Sequence, residues 1–226
     1  MVVLGMSGGM DSATLLALLI KQNWKQIHCC TFDYGSTHNK YENQASAKII
    51  EHYIRQGAFI QKHFIDLKQV MSDFSSNLLL ACGQEIPEGR YQEESMKKTI
   101  VPGRNLIFAA IMAGLAESVG ASAIALAVHS GDHAIYPDCR PEFIKALDSV
   151  IYLSSSRKVE VIAPFLNQDK VDILRVGIHL QVPYNLTRSC YKNQDISCGK
   201  CGTCIERLEA FQKIGIQDPI KYQGKE

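Results

Sequence analysis

"GMSGGMDSATLLALL" (Gly5–Leu19) joins two periodicities across one turn. An apolar run, Val2–Gly5, reads as a strand and stops in a Ser-Gly-Gly turn. From Ser12 to Gln22 the spacing is helical, with Ala13, Leu16, Ala17 and Ile20 on one face. A strand, a glycine turn and a helix together form a phosphate cradle. Gly8 and Gly9 let a ligand approach the main chain, and the helix start offers free N–H groups and about half a positive charge. Ser7 and Ser12 add hydroxyl donors. Asp11 is the anomaly, because it puts a carboxylate where phosphates belong. Two like charges about 4 Å apart repel by about 4 kcal/mol at an effective dielectric of 20. Either a cation bridges them, or Asp11 serves the helix alone as an N-cap. The Walker A pattern is absent.

Outward from this stretch, short β-rich runs alternate with amphipathic ones. Strands are expected at Ile27–Phe32, Phe59–Ile65, Ala121–Val128 and Val159–Ile162. Helices are expected at Asn39–Ile54, Asn105–Ser118, Pro141–Leu153, Lys170–Leu180 and Cys201–Ile214. A polar stretch from about Ser75 to Thr99 is too long for a simple turn. This alternation specifies an α/β fold, a mostly parallel twisted sheet with helices on both faces. Ligands in such sheets bind beyond the carboxyl ends of the strands. The turns after Gly5, Phe32 and Val128 therefore face one crevice.

The 226 residues are 46% hydrophobic and 21% charged, enough for one large domain or a domain with an appendage. A formal net charge of +1 argues against wholesale nucleic-acid binding. No apolar run is expected to span a membrane, and the N-terminal run lacks a signal-peptide flank. A cytoplasmic protein is the resulting expectation.

Three further motifs fall on the crevice turns. "FDYGSTHNKYE" (Phe32–Glu42) puts Asp33 and Tyr34 where an adenine or ribose is read, or forms a turn with a helix cap. "TIVPGRNLIF" (Thr99–Phe108) puts Arg104 and Asn105 before an apolar helix. There Arg104 can pair with phosphate, or Asn105 simply caps the helix. "VHSGDHAIYPDCRPEF" (Val128–Phe143) gathers His129, Asp132, His133, Tyr136, Asp138, Cys139 and Arg140. Together these polar groups suit a polar heterocycle, although each alone has an ordinary structural use and Cys139 can simply pack.

Cys190, Cys198, Cys201 and Cys204 crowd into one segment. Four thiolates on C-x-x-C turns are the pattern of structural zinc. An iron–sulfur cluster and redox-active thiols are the competing readings. Cys29, Cys30 and Cys82 read as core or incidental residues.

The S-G-G-x-D-S loop resembles the pyrophosphate loop of the N-type ATP pyrophosphatases, the PP-loop superfamily. With F-D-Y-G, V-P-G-R-N, H-x-G-D-H-x-x-Y-P-D-C-R-P-E-F and S-C-Y…C-G-x-C-x-x-C in order, nearly the whole chain resembles the 7-cyano-7-deazaguanine synthase family. The resemblance implies a Rossmann-like, adenine nucleotide alpha hydrolase-like domain over residues 1–186. It also implies a small C-terminal zinc-binding helical segment, 187–226, packed on that domain. It implies ATP-dependent conversion of 7-carboxy-7-deazaguanine and ammonia to the nitrile through adenylate and amide, within 7-deazapurine and queuosine biosynthesis. Met6, Ser7, Gly8, Gly9, Met10, Asp11, Ser12, Ala13, Thr14, Asp33 and Tyr34 would hold ATP, with Mg²⁺ near Asp11. Arg104 and Lys170 would carry charge compensation. Arg104, Asn105, His129, Asp132, His133, Tyr136, Asp138 and Arg140 would take the deazaguanine. Zn²⁺ on the four cysteines, a homodimer, and neither membrane nor nucleic-acid partner complete the expectation. The rivals are a relative that stops at the amide or uses another amine, a tRNA-modifying PP-loop ATPase, and a non-catalytic zinc and nucleotide-binding module.

Overall fold

A strand apolar at every position must be covered on both faces, because its side chains alternate between them. β1 (Val2–Gly5) is such a strand. In the computed structural model, which describes residues 1–83, 85–90 and 94–224, Val2 and Leu4 enter one core with Leu15, Leu16 and Leu19 of α1 (Met10–Lys21). Val3 enters a second core on the opposite face. The chain continues through β2 (Ile27–Asp33), α2 (Asn39–Arg55), β3 (Ile60–Asp66), the single turn α3 (Lys68–Met71) and α4 (Arg104–Val119). It then forms β4 (Ala123–Ala125), α5 (Pro141–Ser154), β5 (Glu160–Ile162), α6 (Lys170–His179) and α7 (Gly202–Lys213).

The five strands run parallel in the order β3-β2-β1-β4-β5. Helices α1, α2, α6 and α7 fill the first core, through residues such as Ile49, Leu174 and Phe211. Helices α4 and α5 fill the second, through Ala109, Met112, Ile144 and Leu147. From β1 the chain goes first to β2 and β3, then crosses back to β4. That reversal opens a crevice at the carboxyl ends of β1 and β4.

β4 is shorter than the expected Ala121–Val128: it spans Ala123–Ala125, and its ladder with β5 ends at the bond from Leu126 N–H to the Ile162 carbonyl (2.9 Å). α1 begins at Met10 rather than Ser12, with Gly9 as its N-cap and no side-chain cap. Contrary to the expectation from composition, the stretch Met96–Val119 is long and apolar enough to cross a membrane by those two measures. A turn at Pro102 and Gly103 interrupts it, and α4 packs on the sheet through Ala109, Met112 and Ala116.

Two joints fix the C-terminal third. A Cβ on Gly177 would stand 1.7 Å from the Tyr184 hydroxyl, which is hydrogen-bonded to Thr14 Oγ1 at 2.8 Å. α1 and α6 thus meet where only glycine fits. Arg207 of α7 is 1% exposed and pairs with both Asp218 oxygens (2.7 and 2.8 Å), while Tyr222 donates to the same carboxylate at 2.6 Å. The remaining Arg207 donors reach Thr187 Oγ1 and the Tyr184 carbonyl. A buried charge so completely partnered is stable; stripped of a partner, it typically costs about 3–5 kcal/mol.

β2 and β3 carry a histidine pair, with His28 Nδ1 2.9 Å from His63 Nε2. Burial lowers both pKa values, and the neighbouring imidazole adds to the shift at His28. The unfolded chain therefore binds protons near pH 6.5 that the folded one refuses, and stability falls as pH drops below that value. Melting curves between pH 8 and 5 should show the midpoint declining below about pH 6.5, at roughly 2–4 °C per kcal/mol for a chain of this size. His28→Leu should flatten the decline. An unchanged slope in that variant removes the pair as its source.

Candidate active site

The glycine turn is tighter than a phosphate cradle alone requires. Gly8 has φ +83°, and a Cβ there would lie 2.7 Å from the Glu42 carbonyl oxygen and the Ser46 nitrogen of α2. Glycine at this position is dictated by helix packing as well as by any ligand. Gly9 N–H donates to Ser7 Oγ (3.2 Å), and Ser7 and Ser12 hydroxyls meet at 3.1 Å. The first helical bond of α1 runs from Ala13 N–H to Gly9 O. The N–H groups of Met10, Asp11 and Ser12 precede it, at the edge of a cleft of about 230 Å³.

Asp11 does not cap α1; it lies inside the first turn. Its Oδ2 accepts from Lys170 Nζ at 2.7 Å and faces His129 Nε2 at 3.7 Å. Its Oδ1 is buried with no hydrogen-bond partner among the described residues. Burial alone would raise the Asp11 pKa, but Lys170 and then His129 outweigh it and hold the carboxyl below its ordinary range. Lys170 stands at the start of α6 and also reaches Glu206 of α7 at 3.2 Å. Its charge survives burial because Asp11, Glu206 and Asp132 surround it, and its pKa is pushed above the ordinary lysine value. Glu206, unlike Asp11, shifts upward: burial first, then Asp132 and Asp11, raise its pKa against the pull of Lys170 and His129. His129 is 1% exposed, and its Nδ1 accepts from Gly131 N–H at 3.1 Å. A neutral ring therefore carries its proton on Nε2, aimed between Asp132 Oδ2 (3.4 Å) and Asp11.

Across the cleft, Arg104 opens α4 with its guanidinium 6.0 Å from the ring centres of both Tyr34 and Tyr136. Burial opposes its charge, yet Tyr34, Tyr191, Tyr136 and Asp138 more than compensate and raise its pKa. Phe32 and Phe108 stack at 4.0 Å and, with Met112 and Leu126, form an apolar floor. Aromatic walls, a fixed guanidinium and an apolar base suit a flat, polar-edged ring.

The cleft brings together Met6, Ser7, Gly9, Met10, Asp11, Ser12, Tyr34, Arg104, Asn105, His129, Asp132, Tyr136 and Lys170. Other expected residues stand behind it. Ala13 is core, Thr14 lies in the joint with Tyr184, and Asp33 pairs with Lys68 and accepts from Gly35 N–H. Asp138 accepts the Asn105 backbone N–H (2.9 Å), and Arg140 Nε donates to the His133 carbonyl (3.0 Å). These contacts brace the loop after β4. Asn105 is not an N-cap, since Gly103 occupies that position; its amide ties Asp138 O and Cys139 Sγ. Burial raises the Cys139 thiol far above the ordinary range, which disfavours its thiolate.

Several cleft residues were not legible beforehand: Arg188, Ser189, Tyr191, Thr203, Glu206 and Arg207. All belong to the cysteine-bearing segment. Their sole sequence signal is adjacency to Cys190 and Cys204, which says nothing of the fold bringing that segment back to residue 8. The return is direct, with Arg188 N–H donating to Gly8 O at 2.8 Å.

The four Sγ atoms of Cys190, Cys198, Cys201 and Cys204 lie within 4.8 Å of one another, and all four residues are buried. Thiolates bound at about 2.3 Å to one tetrahedral ion stand about 3.8 Å apart. The Cys198–Cys204 separation of 3.9 Å matches that spacing. Main-chain N–H groups of Lys192 and Cys198 point at Cys190 Sγ, and those of Lys200 and Cys201 at Cys198 Sγ. Hydrogen bonds among the four sulfurs split them, pulling Cys198 and Cys201 below the usual thiol range and pushing Cys190 and Cys204 above it, so without an ion they share protons. The cluster can hold a metal.

Comparison with known proteins agrees along the whole chain. The family model described as "Queuosine biosynthesis protein QueC" matches residues 1–215. The 7-cyano-7-deazaguanine synthase of Pseudoalteromonas atlantica is 42% identical over 222 residues, 98% of each chain. That of Methanoregula boonei is 42% identical over 221 residues, again 98% of each. Among solved structures, the U34-tRNA thiolase NcsA from Methanococcus maripaludis, with its [4Fe-4S] cluster, superposes with TM-score 0.52 at 15% identity. It covers 94% of this chain and 64% of the thiolase, and at that identity the likeness is one of fold.

Proposed function

The chain belongs to the family of the queuosine biosynthesis protein QueC, and from that premise we propose that it is an ATP-dependent 7-cyano-7-deazaguanine synthase. The observation that carries the reading is identity of about 40% with synthases over nearly the full length of both chains. The cleft supports it. The reaction activates an oxygen twice. A carboxylate oxygen of 7-carboxy-7-deazaguanine attacks the α-phosphorus of ATP, the bond to the β-phosphate breaks, and diphosphate leaves. Ammonia then attacks the acyl carbon and loses a proton as AMP departs, giving the amide. The amide oxygen attacks the α-phosphorus of a second ATP, diphosphate leaves and one N–H proton is lost; departure of AMP with the remaining N–H proton then leaves the nitrile.

In this reading residues 1–186 form the ATP pyrophosphatase unit and residues 187–226 the metal-binding segment. The free N–H groups of Met10, Asp11 and Ser12 receive the diphosphate at the start of α1. Lys170 and Arg104 offset charge that accumulates as diphosphate leaves. Tyr34, Tyr136 and Arg104 enclose the deazaguanine, and His129 with Asp132 lies against its reacting edge. The unpartnered, buried Oδ1 of Asp11 fits a Mg²⁺ ligand. Bound there with ATP, Mg²⁺ supplies neutralising charge for the phosphates. The sulfur spacing favours Zn²⁺ at the cysteines over an iron cluster, whose irons and sulfides hold thiolates farther apart. Exposed Leu106 on α4 and Val150 and Leu153 on α5 offer apolar surface to a homodimer, whose existence sedimentation velocity tests. The reading places the enzyme in the cytoplasm without a nucleic-acid partner. The thiolase-like alternative finds no exposed thiol at Cys139, which is buried.

The test is mass spectrometry of purified protein with 7-carboxy-7-deazaguanine, ammonium, Mg²⁺ and ATP, with AMP followed in parallel. Nitrile with AMP is expected. Amide alone narrows the function to a single activation, and absence of substrate-dependent AMP refutes the reading.

A further inference from the structure

Glu206 has no role in the chemistry above, yet it lies at its centre. It comes from the first turns of α7, two residues after Cys204, and lines the same cleft as Asp11. Its Oε2 stands 3.2 Å from Lys170 Nζ. Its Oε1 lies against the turn at Gly131, where an added Cβ would approach it to 2.7 Å. The carboxylate is thus wedged between Lys170 and the His129–Asp132 turn.

An ammonium has three N–H donors. At Lys170 one goes to Asp11 and one to Glu206, and the pair of carboxylates fixes the side chain so that the third can meet a phosphate. Without Glu206, Asp11 would be the remaining ion-pair partner of Lys170 among the described residues. The lysine would then collapse onto it, withdrawing from the phosphates and competing for the oxygen a cation needs. We propose that Glu206 is a positioning residue that divides the lysine's attention: it holds Lys170 off full pairing with Asp11 and directs its free N–H to the phosphates of ATP. The inference deepens the function proposed above and rests on ATP use at this cleft.

Simple electrostatics makes the opposite prediction, and that makes the idea testable. Glu206 is an anion facing an anionic nucleotide, so removing its charge should tighten ATP binding if charge were its whole effect. If it positions Lys170, removal should weaken binding. The experiment is calorimetric titration of ATP with Mg²⁺, without the second substrate, into the unmodified protein, Glu206→Gln, Lys170→Met and the double variant, with bound metal and melting point measured for each. Glu206→Gln is expected to weaken ATP binding about tenfold, with metal content and melting point unchanged. In the Lys170→Met background the same change should have no further effect, because neighbours acting through one group are not additive. Glu206→Asp, which keeps the charge but is one methylene shorter, should recover part of the affinity. Equal or tighter ATP binding by Glu206→Gln, an undiminished effect in the Lys170→Met background, or loss of bound metal in Glu206→Gln would each overturn the proposal. A failure of the unmodified protein to bind ATP would instead bring down the reading of the cleft itself.

Discussion

Asp11→Ala is expected to lower substrate-dependent AMP release by on the order of 10²–10³-fold, the range seen when one preorganised charge-stabilising group is removed from a closed site. The fold should survive. Asp11 contributes no apolar contact to α1, whose buried face is Ala13, Leu15, Leu16 and Leu19. Lys170 keeps Glu206 as a partner, so no buried charge is left alone. The isosteric Asp11→Asn is the sharper version, since it preserves the shape of the turn and removes the charge on the unpartnered Oδ1. AMP release and a melting curve on the same preparation check both halves. Activity within tenfold of the unmodified protein in Asp11→Asn would exclude a cation-holding role.

Stripping the four-cysteine cluster of the ion it can hold should have the second large effect. Tetrathiolate sites supply about 10–16 kcal/mol of apparent free energy in small peptides, as much as the whole stability of an ordinary domain. Cys204→Ser, or chelation under mild denaturant, is expected to undock α7 and abolish AMP release together. The helix carries two of the four sulfurs in or beside its first turn, and Thr203, Glu206 and Arg207 extend from the same turns into the cleft. Metal analysis should return one zinc per chain, with calorimetry showing the melting midpoint lowered by more than about 10 °C, given 2–4 °C per kcal/mol. Several irons per chain with brown absorbance would replace zinc with a cluster, and full activity in metal-free protein would leave the site without a part in the cleft.

The layering was legible because β1 is apolar at each of Val2, Val3 and Leu4, which forces cover on both sides. The site's first half was legible for a related reason: in a parallel sheet the turns after successive strands share one edge, so residues near 7, 34 and 129 had to meet. What stayed hidden depends on packing rather than pattern. No periodicity reveals that Gly8 is needed against the backbone of α2, or that Thr14 belongs to a joint closed by Gly177 and Tyr184. The polar residues after β4 all looked alike in sequence. Only their partners separate His129 and Asp132, at the cleft, from Asp138 and Arg140, which brace the loop behind it. The entire wall from the cysteine segment was invisible, because long-range closure leaves no local trace.

That closure has a consequence for how the protein is made. The glycine turn is synthesised well before the segment that closes on it: the hydrogen bond that ties Arg188 to Gly8 joins positions 180 residues apart, and Arg207 waits for Asp218 and Tyr222. Contacts of such separation form late. A nascent chain can assemble β1 to β3 early, yet the cleft lacks one wall until residues 188–207 are made and have folded back onto the glycine turn. With the four cysteines holding a metal, its supply during growth is expected to limit how many newly made molecules become active, and starvation should leave those already complete unaltered.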